Sequence, residues 1–299
     1  MKSQFIDFCE IPFPEVNPID LIVEQNGAPF KLANYRYPCK VGVERKGIVF
    51  YVHGYAEYTG RYGYLAREFS EAGFDFVGID QRNFGNSTSN AATLGHFEGE
   101  LVHQNDILAH IDLVDAKFGG PDVPKFIIGY SLGGLQTTQL ALRRPDFFKG
   151  IGLLAPCYGF LEYLQPQFDA LADKARAQTT EEIYELPNMI TLPPRQSLHF
   201  MLDPLGQGIK MPAQNVLTLK DAPARLTTEL IASVTSPVIL VIGGNEGFVS
   251  NKRTVEMFNH LPTTDKSLVT VKGATHFPFH DKKNAQLVCD EIIRFFSRI

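Results

Sequence analysis

The chain has 299 residues, of which 44% are hydrophobic and 20% are charged, and its formal net charge at pH 7 is −5. A chain of this size and composition is globular and can bury a large core, either as one α/β domain or as a domain with an insertion. The slightly acidic balance gives no basic surface for nucleic acid or anionic lipid, so nucleic acid is excluded as an expected partner.

The N-terminal residues and the cysteines bear on the cellular compartment. Residues 1–10 carry acidic side chains where a signal peptide needs an apolar core, and no apolar run is long enough to span a bilayer. The four cysteines are far apart and form no C-x-x-C pair: Cys9, Cys39, Cys157 and Cys289. We therefore expect a cytoplasmic protein with reduced thiols.

The first half of the chain alternates strand and helix patterns. A hairpin is predicted over residues 21–37, with Asn26-Gly27 as its two-residue turn. The elements after it are a buried strand at 47–52, a helix at 61–72, a strand at 74–79 and a helix at 101–118. Each strand leads into a loop that contains glycine.

The same alternation continues through the middle of the chain. A short apolar strand at 126–128 precedes a helix at 135–144, which Pro145 stops, and a fifth buried strand follows at 150–155. Strands and helices that alternate at this pitch predict parallel β-α units, hence an α/β fold with a doubly wound sheet covered on both faces.

This alternation is interrupted by a proline-rich stretch from about residue 158 to 233, with weak helical patterns and no convincing strand. A long insertion of this kind is typically a functional lid. Its apolar side chains have no predicted sheet to cover, so we interpret them as a substrate-binding surface that also contacts lipid surfaces transiently. They are Met189, Ile190, Leu192, Phe200, Met201 and Leu202.

The strand pattern resumes at 237–242 and 267–271, and an amphipathic helix is predicted over 284–298. The predicted organisation is thus a core in two parts, residues 1–157 and 236–299, with a cap or lid inserted at 158–235.

The segment around Ser131 has the sequence of a nucleophile turn. Gly129-Tyr130-Ser131-Leu132-Gly133 satisfies G-x-S-x-G, and it stands between a predicted strand and a predicted helix. A serine on such a turn takes a strained backbone, and Gly129 and Gly133 avoid the collisions that side chains would cause. We therefore predict that Ser131 is a catalytic nucleophile.

A serine nucleophile needs an imidazole base, and the imidazole needs a carboxylate to orient it. Glu246 and His276 each follow a predicted strand, and the order Ser131, Glu246, His276 is that of the α/β-hydrolases. His280 is the alternative base. The alternative acid is Glu162, the first carboxylate after the strand at 150–155.

The loop after the strand at 47–52 is predicted to build the oxyanion hole. His53-Gly54 shapes this loop, and the expected donors are the backbone N–H groups of Tyr55 and Leu132. His53 itself is interpreted as a buried histidine that orders the loop. No histidine pair has the spacing of a zinc site, and Gly243-Gly244 lacks the third glycine of a dinucleotide fingerprint, so neither metal nor cofactor is expected.

These residues together resemble the monoacylglycerol lipase and lysophospholipase branch of the α/β-hydrolases. The resemblance lies in the segments 53–57, 61–62, 80–87, 129–134, 203–205 and 273–276, and it extends over nearly the whole chain from about Phe30. It implies a mostly parallel eight-stranded sheet with a mobile apolar cap, and hydrolysis of monoacyl lipid esters without a cofactor.

Three positions depart from the family pattern. Glu246 stands where the family usually has aspartate, Tyr55 where it has a small residue, and Asn83 where the Asp-x-Arg-Gly loop has its first glycine. Asp80-Gln81-Arg82 also resembles proline iminopeptidases, although their Gly-Gly-Pro-Gly loop is absent.

The predicted function is hydrolysis of a small-molecule carboxylic ester, a monoacylglycerol or a lysophospholipid, by a serine esterase of lipid metabolism. A thioesterase or an aminopeptidase with the same triad is the alternative enzyme, and a non-catalytic receptor or scaffold with a hydrolase fold is the alternative outside enzymes. The sequence predicts no oligomeric state.

Overall fold

A central eight-stranded sheet organises the protein. The structure, a computed structural model, describes residues 11–88, 93–177, 183–185, 203, 205 and 210–299. The strands of this part are β1 Glu15–Val16, β2 Ile22–Gln25, β3 Ala28–Lys31, β4 Asn34–Tyr37, β5 Gly47–Val52, β6 Phe74–Ile79, β7 Lys125–Tyr130, β8 Gly150–Leu154, β9 Ile183–Glu185, β10 Lys210–Pro212, β11 Val238–Gly243 and β12 Lys266–Val271.

The helices complete the alternation. They are α1 Gly63–Glu71, α2 Glu100–Phe118, α3 Leu132–Arg143, α4 Gln165–Ala177, α5 Ala213–Arg225, α6 Thr228–Ile231, α7 Asn251–Asn259 and α8 Lys282–Arg298, with a 3₁₀ turn, Thr59–Tyr62, before α1. Helix α7, which Ser250 caps at its N-terminus, was not predicted from the sequence.

The sheet has the order β1-β4-β6-β5-β7-β8-β11-β12. Strand β4 pairs antiparallel with both of its neighbours, and every other pairing in the sheet is parallel. Strands β5, β6, β7, β8 and β11 are buried along their whole length, as expected for parallel strands covered on both faces. The prediction of a doubly wound, mostly parallel eight-stranded sheet is confirmed.

The predicted hairpin is shorter than the sequence suggested. Strands β2 and β3 pair across Asn26-Gly27, whose φ angles of 52° and 77° suit a tight turn, but β4 pairs with β6 in the main sheet. Asn34 accounts for the difference, because its buried carboxamide exchanges hydrogen bonds with the backbone of Ile19. The alternating pattern cannot show which partner a strand takes.

The insertion contains regular structure that the sequence analysis missed. Helices α4 and α5 are well formed, and β9 pairs antiparallel with β10. Pro166 lies in the first turn of α4 and Pro212 just before α5, where helices tolerate proline, whereas Pro223 lies inside the last turn of α5. Apolar residues of both helices join the core, among them Phe168, Ala172, Val216 and Ala222.

Candidate active site

Ser131 occupies the sharp turn between β7 and α3. Its φ is 52° and its ψ is −116°, a conformation that costs free energy for any residue with a Cβ. A Cβ on Gly129 would lie 2.2 Å from Gly133 O, and one on Gly133 would lie 2.1 Å from Val52 O. Only glycine at both positions permits this turn, which presents Ser131 at the carboxyl edge of the sheet.

Ser131, His276 and Glu246 form a continuous hydrogen-bonded chain. Ser131 Oγ lies 2.9 Å from His276 Nε2, and His276 Nδ1 lies 3.0 Å from Glu246 Oε2. The three residues follow β7, β12 and β11, whose carboxyl ends lie at one edge of the sheet. Residues 145 and 30 positions apart in sequence are thereby brought into contact.

The Glu246 carboxylate remains ionised although it is buried. Burial opposes its charge, but His276 and the backbone N–H groups of Phe248 and Val249 more than offset burial and lower the pKa of Glu246. These N–H groups donate to Oε1 at 2.8 and 3.2 Å, which leaves Oε2 for His276. Because an ionised carboxylate only accepts, His276 Nδ1 carries the proton and Nε2 offers its lone pair to Ser131.

The alternative base and acid are placed elsewhere. His280 Nε2 lies 3.2 Å from the hydroxyl of Tyr62, and its ring lies 6.1 Å from that of Tyr130, whereas Ser131 Oγ is bonded to His276 Nε2. The Glu162 side chain is 87% exposed and is paired with Lys252. The structure therefore brings His276 and Glu246 to the serine, and neither of the alternatives.

The loop after β5 lies directly against the nucleophile turn. A Cβ on Gly54 would lie 3.3 Å from Ser131 Cβ. His53 is buried; its Nε2 accepts from Gln81 N–H at 2.9 Å, and its Nδ1 lies 2.8 Å from Gly54 O. Burial lowers the pKa of His53 to about 4, so the ring is neutral and orders the loop through these bonds.

The two expected oxyanion donors belong to the two segments in contact here, the loop after β5 and the turn from β7 to α3. Tyr55 follows Gly54, and Leu132 is the first residue of α3, so its N–H is one of the helix N-terminal donors that the helix itself cannot satisfy. The positive end of the helix dipole favours negative charge at the same place. Tyr55 is half-buried, and its ring packs edge-on against Phe84.

An ion-pair network that the sequence analysis did not identify lies beneath the loop. The buried Arg61 guanidinium bonds Glu57 Oε2 at 2.7 Å and Asp203 Oδ2 at 2.5 Å, and the Tyr58 hydroxyl donates to the same Asp203 oxygen. Three residues of the resembling segments, 57, 61 and 203, thus have a structural reason to occur together. The sequence showed that these residues occur in those segments, but it did not show that they contact one another.

Asn83 stands where the family pattern has a glycine, and it adopts a backbone conformation that asparagine tolerates. Its φ is 64°, in the left-handed region that asparagine enters more readily than most residues. Its carboxamide also donates to His96 O and Glu98 Oε1, at 3.0 and 2.9 Å. The departure from glycine is thereby compensated by hydrogen bonds.

Some predicted features lie beyond the described part of the chain. Met189, Ile190, Leu192, Phe200, Met201 and Leu202 fall outside the described residues, and so does Cys9. Cys39, Cys157 and Cys289 are free thiols, as predicted. Within the described ranges no cluster of three His, Cys, Asp or Glu side chains is arranged to hold a metal ion, and no helix there is long and apolar enough to cross a membrane.

The family model described as serine aminopeptidase, S33, matches residues 43–283. The chain belongs to this family. Its members are hydrolases, and the chain has the α/β-hydrolase fold that the resemblance implied. The match includes all three residues of the Ser131–His276–Glu246 chain and both expected oxyanion donors.

Relatives by sequence support the monoacylglycerol lipase branch of the α/β-hydrolases, and a solved structure shares the fold. The chain is 26% identical to the monoglyceride lipase of Mus musculus over 240 residues, which are 77% of this chain and 75% of the relative. It is 24% identical to the monoacylglycerol lipase of Mycolicibacterium smegmatis over 260 residues, 83% of this chain and 86% of the relative. A soluble variant of the Saccharomyces cerevisiae monoglyceride lipase shares the fold, with a TM-score of 0.81, 19% identity, and coverage of 96% of this chain and 98% of that one.

Proposed function

We propose that this hydrolase is a serine carboxylic-ester hydrolase that cleaves monoacyl lipid esters, with Ser131 as nucleophile, His276 as base and Glu246 as the orienting acid. The observation that carries the proposal is the hydrogen-bonded chain from Ser131 Oγ through His276 to Glu246. Monoglyceride and monoacylglycerol lipases among the relatives support the ester, and a Bacillus subtilis phospholipase, 22% identical over 249 residues, supports a lysophospholipid as a second substrate.

In the first half-reaction, Ser131 Oγ attacks the acyl carbonyl while its proton passes to His276 Nε2. The carbonyl oxygen becomes an oxyanion that Tyr55 N–H and Leu132 N–H stabilise, each by roughly 3 kcal/mol if it behaves as known oxyanion donors do. Glu246 stabilises the imidazolium that forms. His276 then returns the proton to the leaving alcohol oxygen, and the acyl group remains on Ser131.

In the second half-reaction, a water molecule attacks the acyl-enzyme while His276 Nε2 accepts its proton. The second oxyanion collapses, the Ser131 oxygen regains the proton from His276, and the carboxylic acid leaves. No cofactor is consumed in either half, so the cycle needs only the ester and water.

The insertion, residues 158–235, is proposed to act as a cap over this site and to contact lipid surfaces transiently. It leaves the sheet after β8 and returns at β11, and these two strands pair directly with one another. The insertion therefore begins at the carboxyl edge that carries Ser131, and its residue Asn215 donates to the Tyr55 hydroxyl in the loop beside the nucleophile turn, at 2.7 Å. The six apolar residues predicted as the acyl-binding surface remain part of this proposal.

The proposal is tested by Ser131→Ala. We predict that this variant loses ester turnover and labelling by a fluorophosphonate probe, because both reactions need the serine oxygen, while circular dichroism and the melting temperature stay close to the wild type. Undiminished labelling of Ser131→Ala would assign the reactive residue to another position. An ester panel of monoacylglycerols and lysophospholipids then defines the substrate.

A second candidate activity follows from the name of the family model, serine aminopeptidase. The same panel therefore includes aminoacyl amides and acyl thioesters. Faster turnover of an aminoacyl amide than of any ester would replace the esterase with the peptidase and keep the same triad.

A further inference from the structure

The side chain of the proposed oxyanion residue Tyr55 is hydrogen-bonded to the insertion. Asn215 Nδ2, in helix α5, donates to the Tyr55 hydroxyl at 2.7 Å, across 160 positions of sequence. The Tyr55 ring also packs edge-on against Phe84, with 5.7 Å between the ring centroids. The Tyr55 ring is thus restrained by its contact with Phe84 and by the bond at its hydroxyl. These restraints also restrict the backbone of Tyr55.

Asn215 is held independently of Tyr55. It is 1% exposed, its Oδ1 accepts from Phe97 N–H at 2.8 Å, and its Nδ2 donates to Gly95 O as well. The accepting and donating ends of the carboxamide are therefore fixed by the 95–97 backbone, and the second Nδ2 hydrogen is directed at the Tyr55 hydroxyl. Loss of the hydroxyl would leave the orientation of Asn215 unchanged.

The same loop is bonded to the insertion at a second place. Tyr58 and Arg61 both donate to Asp203 Oδ2, and Asp203 Oδ1 accepts from Leu205 N–H at 2.9 Å. The segment that carries the Tyr55 N–H is therefore attached to the insertion at both of its ends, residues 55 and 58–61.

We propose that the Tyr55–Asn215 hydrogen bond sets the position of the Tyr55 N–H toward the oxyanion, so that Asn215 is a positioning residue for catalysis supplied by the insertion. This inference rests on the proposed ester hydrolysis. Oxyanion donors act only when they are preorganised at the place where the charge develops, and a small displacement weakens them. The bond therefore acts on the transition state more than on the bound ester. Asn215 does not touch the substrate and is not a catalytic residue.

The variant that isolates the bond is Tyr55→Phe, because it removes only the hydroxyl and keeps the ring on Phe84. We expect kcat to fall about three- to tenfold, the range that one neutral hydrogen bond supports, with KM within twofold. The inhibition constant of a trifluoromethyl ketone, which forms an oxyanion on the serine, should rise by the same factor as kcat/KM falls. A merely structural role would leave both quantities at wild-type values.

The matched control is Tyr64→Phe, which removes another buried tyrosine hydroxyl, one that donates to Phe279 O at 3.0 Å from helix α1 of the core. It should keep the wild-type kcat. In the Asn215→Ala background, Tyr55→Phe should have a smaller effect than in the wild type, because the Asn215 bond is already absent.

The outcomes separate this inference from the proposed function. A wild type without Ser131-dependent ester turnover overturns both. A wild type that is active, with Tyr55→Phe at the same kcat and the same inhibition constant, overturns the positioning role alone. Effects of Tyr55→Phe and Asn215→Ala that multiply in the double variant also overturn it, because the two residues would then act independently.

Discussion

At the residue scale, the proposed mechanism depends on a glutamate where the family usually has an aspartate. Glu246 has one more methylene than aspartate, and its carboxylate accepts three hydrogen bonds, two from backbone N–H groups and one from His276. A Cβ on Gly243 would lie 2.0 Å from Thr275 O, so glycine there lets the end of β11 lie against the segment that carries His276. The glutamate therefore reaches His276 Nδ1 at 3.0 Å from the loop after β11.

The variant Glu246→Gln tests this role, with Glu162→Gln as its control. The substitution keeps the shape but removes the charge that stabilises the imidazolium, so we predict a loss in kcat on the order of 10⁴-fold. Glu162 is exposed and distant from the triad hydrogen bonds, so its variant should keep the wild-type rate. Steady-state kinetics of the two variants measure this. A large loss of kcat in Glu162→Gln beside a near-normal Glu246→Gln would show that Glu162, after the earlier strand β8, is the triad acid.

Residues near Ser131 were predictable from sequence to different degrees. Ser131, Glu246 and His276 each follow a buried strand in a recognisable order, so local pattern and chain order were enough to select them. The contacts of Asn215 with Tyr55, and of Arg61 with Asp203, join segments 160 and 142 positions apart. No local pattern encodes such pairs, because they depend on how the insertion packs on the core.

At the scale of elements, the turn from β7 to α3 is the most constrained part of the sheet edge. Gly133 lies so close to the end of β5 that a Cβ would meet Val52 O at 2.1 Å and His53 O at 2.5 Å. Backbone atoms cannot move aside as a flexible side chain can. A larger residue at this position must push β5 and α3 apart.

The corresponding prediction concerns Gly133→Ala. We expect the free energy of unfolding to fall by roughly 1–3 kcal/mol, the cost of an overpacked site, and the melting temperature to fall with it. Fluorophosphonate labelling should also be slower, because the displaced loop carries Tyr55. Gly247→Ala is the control, since no atom lies within 4 Å of a Cβ there and its φ is not in the left-handed region. Thermal melts and labelling rates are measured on both. Equal behaviour of the two variants would contradict the packing argument.

The elements of the core were easier to predict than those of the insertion. Strands such as β5 and β11 are uninterrupted apolar runs, and this composition predicts their burial on both faces. Helices α4 and α5 carry prolines, which read as helix breakers until their positions at helix ends are known. Strand β4 was assigned to the wrong partner because pairing is set by the whole sheet.

At the scale of the whole molecule, several buried titratable groups have pKa values shifted by burial. Burial lowers the pKa of His53 to about 4 and of His110 to about 3, and it lowers that of His103 well below its usual value. Asp80 behaves in the opposite sense: burial raises its pKa to about 6, although Asn86 N–H and the Tyr35 hydroxyl donate to it. His53, His103 and Asp80 accept hydrogen bonds from loop N–H groups, whereas His110 packs against Phe50 of the core.

These four groups contribute to the pH dependence of stability. Between about pH 6.5 and the lowered pKa values, the unfolded chain binds protons on His53, His103 and His110 that the folded protein does not bind, so the free energy of unfolding falls as the pH falls. Asp80 contributes the reverse between about pH 6 and its usual value of 3.8, where the folded state holds the extra proton. Each pKa unit corresponds to about 1.4 kcal/mol, and the histidine shifts together exceed that of Asp80.

We therefore predict that the free energy of unfolding falls between pH 7 and pH 4, because the histidine shifts outweigh that of Asp80. Urea unfolding at a series of pH values measures it. The variant His110→Leu removes one of the titrating groups without touching the triad, because His110 lies in α2 and packs edge-on against Phe50 of the core. Its stability at pH 7 is expected to differ from the wild type, but its decline toward pH 4 should be shallower, since one proton fewer is taken up on unfolding. A wild-type curve that is flat or rises toward pH 4, or a variant that declines as steeply as the wild type, would show that the buried histidines do not control the acid limb.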